Sequence, residues 1–143
     1  MRASACVTAR SLARSRWLVA SSSATLGQVL EIFQSLEFRH LPIVDGKELV
    51  GILSERDMRG LALPVTLDEA VIERMNARLA TPVSELMSTD VISVEPDASI
   101  GEVIDLMIEH RIGAVPVVDS VTGDLVGIVS YIDVLREARD NLD

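Results

Sequence analysis

At 143 residues, with a formal charge of −9 and a composition that is 48% hydrophobic but only 3% aromatic, the chain has the length for one small domain, or two half-size copies, with an aliphatic core. The acidic balance argues against a nucleic-acid partner, because such binding needs positive charge clustered on one face to displace phosphate counterions. One cysteine, Cys6, excludes an internal disulfide, and no apolar run approaches the roughly 20 residues of a spanning helix, so a cytoplasmic chain with no membrane partner is expected.

Residues 1–16 form a basic opening rich in Ser and Ala, with Arg2, Arg10, Arg14 and Arg16 all ahead of the first acidic residue, Glu31. That pattern fits an organellar transit peptide, a flexible arm, or a helix from Ala9 to Leu18 packed on the body. Trp17 to Ala20 reads as a short strand. After Ser21-Ser22-Ser23, Thr25 caps a helix whose apolar residues Leu26, Val29, Leu30, Phe33 and Leu36 recur at three- and four-residue intervals. Strands Leu41 to Val44 and Leu49 to Leu53 flank a turn containing Asp45-Gly46, a hairpin signal. The run Gly51-Ile52-Leu53-Ser54-Glu55-Arg56-Asp57 then reads as strand, turn and helix start, with a helix to about Ala62. Leu63-Pro64-Val65 breaks it. Thr66 opens a linking helix to Leu79, with Leu67, Val71, Met75 and Leu79 on one stripe, and Thr81-Pro82 ends that helix.

The same sentence is then spoken again. Val91 to Val94 reads as a strand and Ser99 to His110 as a helix with Ile100, Val103, Ile104, Met107 and Ile108 inward. Strands Ala114 to Val118 and Leu125 to Val129 follow, then a helix from Tyr131 to Ala138. A shift of 74 positions carries Leu41-Pro42-Ile43-Val44-Asp45 onto Val115-Pro116-Val117-Val118-Asp119. Beyond the hairpin turn the shift is 76, which carries Gly51-Ile52-Leu53-Ser54 onto Gly127-Ile128-Val129-Ser130 and Asp57 onto Asp133.

Each Ser-x-x-Asp segment admits two readings. Serine is a good N-cap and an acidic residue at the third helical position suits the helix dipole, so capping alone accounts for the pattern. A helix start with free N–H groups, a hydroxyl and a fixed carboxylate can equally hold a phosphate and a ribose. Asp45 and Asp119 are turn formers by type and are left out of any site.

The repeated apolar-Pro-apolar-Val-Asp strand followed by Gly-apolar-apolar-Ser-x-x-Asp resembles the CBS domain, and two in tandem resemble a CBS pair, or Bateman module. The resemblance implies an α+β (α/β) fold: two β-α-β-β-α repeats packed sheet to sheet with pseudo-twofold symmetry. It divides the chain into a basic arm (1–16), a first repeat (17–62), a linking helix (63–82) and a second repeat (83–140). It also implies adenosyl ligands, such as AMP, ADP, ATP or S-adenosylmethionine, bound in clefts between the repeats, with Asp on the ribose and Ser near the phosphate. Carried over by residue, the first site takes Arg39, His40, Leu41, Pro42, Ser54, Arg56 and Asp57. The second takes Gly113, Ala114, Val115, Pro116, Ser130 and Asp133. A homodimer and a separate effector protein are further implications, with no resident cofactor. The alternative is an interaction module whose clefts are vestigial.

The two sites differ in charge. Arg39, His40 and Arg56 of the first stand where the second has Gly113, Ala114 and Ile132, and guanidinium groups pair bidentately with phosphate. The first site is therefore expected to prefer the more phosphorylated ligand. His40 also reads as a solvated strand-end residue, and Arg39 or Arg56 as a surface pair with Glu37 or Glu55. Nothing points to catalysis: no nucleophile motif and no phosphate-cradling glycine loop is present, and two histidines, His40 and His110, do not make a zinc site.

Overall fold

The computed structural model describes residues 7–13, 18–35, 40–54 and 68–142, and leaves the side chains of 33–35 aside. Cys6, Trp17, Arg39, Thr66 and the helix expected over 55–62 lie outside the described residues. The elements in chain order are α1 (Ala9–Leu12), β1 (Ala20–Ser21), α2 (Leu26–Ser35), β2 (His40–Asp45), β3 (Glu48–Ser54), α3 (Glu69–Leu79), a 3-10 turn (Val83–Glu85), α4 (Ile100–His110), β4 (Ala114–Val118), β5 (Leu125–Ser130) and α5 (Tyr131–Asp140). They combine into two bodies of mixed helix and strand. One gathers the described residues of 18–46 and 50–91, the other those of 1–17, 47–49 and 92–143. No helix among the described residues is long and apolar enough to cross a membrane.

In the first-repeat body a three-stranded sheet runs in the order β1-β2-β3. β1 pairs in parallel with β2, Ala20 opposite Ile43. It is only two residues long, and the strand expected from Trp17 starts later, at Ala20. Gly46, at φ 66, makes the tight turn into β3, a conformation that suits a residue without Cβ. α2 starts on a reciprocal cap: Thr25 Oγ1 accepts from the Gln28 amide at 3.3 Å and Gln28 Oε1 from the Thr25 amide at 3.0 Å. Its inner face puts Val29 into a core with Ala20, Leu41, Ile43, Leu53 and Val83.

α3 packs on α2 but buries none of its residues. Of the expected stripe, Val71 and Met75 are half-buried and Leu79 is 36% accessible, while Leu67 lies outside the described residues. Its N-cap is Asp68, whose carboxylate accepts from the Val71 amide at 2.8 Å, rather than the expected Thr66. An Asp at the cap accepts the same amide and adds favourable charge at the dipole's positive end.

In the second-repeat body β4 and β5 form an antiparallel pair with Val115 opposite Val129. The strand expected over Val91 to Val94 is reduced to one parallel bridge, Val94 to Val117. That bridge is the counterpart, 74 residues on, of Ala20 opposite Ile43. Ser99 caps α4 by accepting from the Glu102 amide at 3.2 Å. Val103 of α4 reaches the core, which also holds Ala98, Val115, Val117, Val129 and Val134. Ile108, expected to face inward, is 71% exposed. The 3.6-residue period puts it on the edge of the apolar stripe, beyond the reach of the two-stranded sheet.

α4 ends on Arg111 in the left-handed conformation, φ 54 and ψ 45, the one non-glycine with positive φ among the described residues. A side chain is disfavoured there by about 1–2 kcal/mol, part of which a glycine returns through its floppier unfolded chain. Arg111→Gly is expected to raise stability by roughly 0.5–1 kcal/mol, read as a higher urea midpoint at unchanged slope.

The two entry segments are exchanged relative to the repeats. Thr8 to Ala13 precede the first repeat but belong to the second-repeat body: Ala9 N donates to Ala98 O at 2.8 Å and Arg10 N to Pro96 O at 3.1 Å. Ala9 is wholly buried in that core. This is a helix on the body, as one of the three readings of the opening had it, but it stops at Leu12. Seventy-four positions on, Val83 N donates to Ala24 O at 2.8 Å in the first-repeat body.

The motif glycines are the seats of these segments. A Cβ on Gly127 would lie 2.7 Å from the Ala13 Cβ, and one on Gly51 would meet the Met87 side chain and, at 3.1 Å, the Ser88 carbonyl oxygen. Neither Gly51 nor Gly127 has positive φ, so close approach rather than backbone freedom excludes a side chain there.

Candidate functional site

The register of β4 and β5 decides which candidates meet in the second-repeat body. Ala114 lies opposite Ser130, the last residue of β5 and the N-cap of α5. Tyr131 N donates to Gly113 O at 2.9 Å, which ties the helix start to the entry of β4. Asp133, at the third helical position, is therefore brought together with Gly113, Ala114 and Ser130.

Ser130 and Asp133 are both 8% exposed, and they grip each other. The Ser130 amide and hydroxyl both donate to Asp133 Oδ2, at 2.8 and 2.9 Å, and the Ser130 hydroxyl accepts from the Asp133 amide at 3.3 Å. This is a capping box with a carboxylate held low in the protein surface at the positive end of a ten-residue helix. A carboxylate has about four acceptor positions, so capping a helix and gripping a sugar diol are compatible uses of one Asp. Val115 and Pro116 sit one and two residues farther along β4, wholly buried. Val115 belongs to the core cluster, so its contribution is to hold the strand.

In the first-repeat body His40 opens β2, Leu41 and Pro42 follow it, and Ser54 ends β3. The two-residue turn at Gly46-Lys47 returns β3 beside β2, so Ser54 and His40 share one end of the sheet. Leu41 is buried in the core, His40 and Ser54 half-buried. Arg39, Arg56 and Asp57 lie outside the described residues. Among the described residues no group of three or more His, Cys, Asp or Glu side chains can hold a metal ion.

Sequence reasoning missed the partners of the two motif glycines. Ala13 and Met87 are 74 apart, the offset of the repeat itself, and that offset was the signal available.

The family model described as CBS domain matches this chain twice, over residues 9–64 and 83–140. The chain belongs to the CBS domain family. The CBS domain-containing protein YhcV of Bacillus subtilis is 32% identical over 121 residues, which span 85% of this chain and 78% of YhcV. The CBS domain pair of protein MJ0100, solved with 5-methylthioadenosine and S-adenosyl-L-methionine, superposes with a TM-score of 0.74 at 25% identity, covering 96% of this chain and all of that one. CBSX2 in complex with AMP gives a TM-score of 0.73 at 25% identity, covering 90% of this chain and 91% of CBSX2. As a CBS pair, the chain shares its fold with proteins solved in complex with adenosyl compounds.

Proposed function

We propose that this CBS pair is a regulatory, non-catalytic module that binds adenosine-containing ligands at its Ser-x-x-Asp segments and signals to a partner protein. The observation that carries this is the buried Ser130–Asp133 pair, delivered by strand register to Gly113 and Ala114 at the start of a helix. The ligands solved on MJ0100 and CBSX2 support an adenosyl compound. Asp133 and Asp57 take the ribose hydroxyls, Ser130 and Ser54 lie by the phosphate, and Gly113 to Pro116 and Leu41-Pro42 supply apolar walls for the base. Arg39, His40 and Arg56 add positive charge to the first site alone, which favours ATP there and AMP or S-adenosylmethionine at the second. Ligand selects one conformation of the module, a cytoplasmic homodimer acts as the working form, and an effector protein reads that change.

Calorimetric titration of ATP, AMP and S-adenosylmethionine into the native protein and the Asp57→Ala and Asp133→Asn variants tests this. Asp57→Ala is expected to remove most ATP affinity and Asp133→Asn to spare it. Equal losses from both variants would refute the assignment of charge preference.

A second reading has its own observation. The Ser130 hydroxyl both donates and accepts within the cap, which a helix start built for structure alone would also do. On that reading the module only joins proteins together. A ligand at 100 times its dissociation constant adds about 2.7 kcal/mol to stability, so an unmoved melting temperature with all three compounds would decide for it.

A further inference from the structure

We infer that docking of the N-terminal segment, Thr8 to Ala13, and ligand occupancy at Ser130 and Asp133 are energetically coupled. The inference rests on the proposed ligand role of those two residues. α1 packs on β5 and α5, the two elements that meet at Ser130. The wholly buried Ala9 shares one core cluster with Val129 and Val134. Val129 is the residue before Ser130, and Val134 is the residue after Asp133, so the cluster that Ala9 completes holds both ends of the capping box. Ala13 lies against Gly127, three residues before Ser130 on the same strand. A docked segment thus fixes the backbone from which the hydroxyl and carboxylate project, and release of the segment loosens it.

The segment is also built to be released. α1 is four residues long, its buried side chain is an alanine, and two hydrogen bonds, from the Ala9 and Arg10 amides, tie its start to residues 96–98. A single helical turn has little intrinsic stability, so such a segment opens locally far below the cost of global unfolding. The matching segment in the other body seats the larger Val83, also wholly buried, and gives an internal reference. Coupling is reciprocal: whatever factor the docked segment adds to ligand affinity, the ligand adds to docking.

Hydrogen exchange on the full chain, with and without AMP and separately S-adenosylmethionine, reads this at the Ala9 and Arg10 amides. The compound whose binding is lost in Asp133→Asn is expected to slow exchange at those amides about fivefold or more, and to leave the Val83 amide unchanged. Conversely, a chain beginning at Arg14 is expected to bind that compound about tenfold more weakly while keeping the affinity that depends on Asp57. Ala9→Gly, a milder change that keeps the segment, is expected to weaken binding in the same direction by a smaller factor. Undiminished exchange at Ala9 and Arg10 in a protein that binds through Asp133 would overturn the coupling and leave the ligand site standing. If neither compound binds in an Asp133-dependent way, the ligand reading fails and the coupling falls with it.

Discussion

Asp133→Ala is expected to cost the second-repeat body about 2–3 kcal/mol, a large share of the stability of a small domain. The loss has two parts. Helix α5 loses a carboxylate from its positive end, and the Ser130 amide and hydroxyl, both donating to Asp133 Oδ2, are left without that acceptor at a position 8% exposed. Asp133→Asn keeps one carbonyl acceptor and should cost about half as much. Ser130→Ala removes the hydroxyl but leaves the amide bonded to the carboxylate, at about 1 kcal/mol. Urea denaturation followed by the circular dichroism of the helices measures all three. A loss below about 0.5 kcal/mol for Asp133→Ala would mean that the cap does not hold the helix. The order of the series also tells which variant to use for binding: Asn perturbs the ligand contact with the smaller structural cost.

Gly127→Ala is expected to destabilise by about 1–3 kcal/mol, and Ala13→Gly in the same chain to restore at least half of that. The new methyl on Gly127 would lie 2.7 Å from the Ala13 Cβ, and an alanine side chain has no torsion by which to move aside. The strand or the N-terminal segment must shift instead. Removing the opposing methyl relieves the overlap, so the double-mutant cycle should show a favourable coupling of about 1 kcal/mol. Additive effects would sever Gly127 from Ala13. Gly51→Ala is the control, because the first atoms it meets belong to the flexible Met87 thioether, and a smaller loss is expected there.

The duplication was fully legible as a sequence, and its offset reappears in the hydrogen bonding. Ala20 opposite Ile43 and Val94 opposite Val117 are one contact made twice, as are the caps at Thr25 and Ser99. Local rules sufficed because each cap and hairpin is closed by residues a few positions apart. They failed where a partner lies far along the chain. Apolar spacing marked a stripe on α4 but not how wide a surface would cover it, so Ile108 was set inward and stands exposed. Asp68 and Thr66 are both good caps, spacing alone does not choose between them, and the helix starts on Asp68. Nothing local tells a segment which copy will receive it, so the docking of Ala9 to Ala13 on the second-repeat body escaped a reading by order. The candidate site is legible only as the Ser-x-x-Asp pattern. Its geometry in the second-repeat body adds the mutual grip of Ser130 and Asp133, which spacing alone leaves open between a cap and a ligand contact.

The exchange of entry segments bears on how such a chain can be divided. Scissors applied at the repeat boundary, between Pro82 and Val83, would leave each half short of a core residue: the later piece would carry off Val83, a core residue of its sibling, and leave behind Ala9, a core residue of its own. A single repeat cut free in this way has a gap in its core where the segment ahead of the other repeat inserts, and a peptide carrying that segment is the piece that fits it.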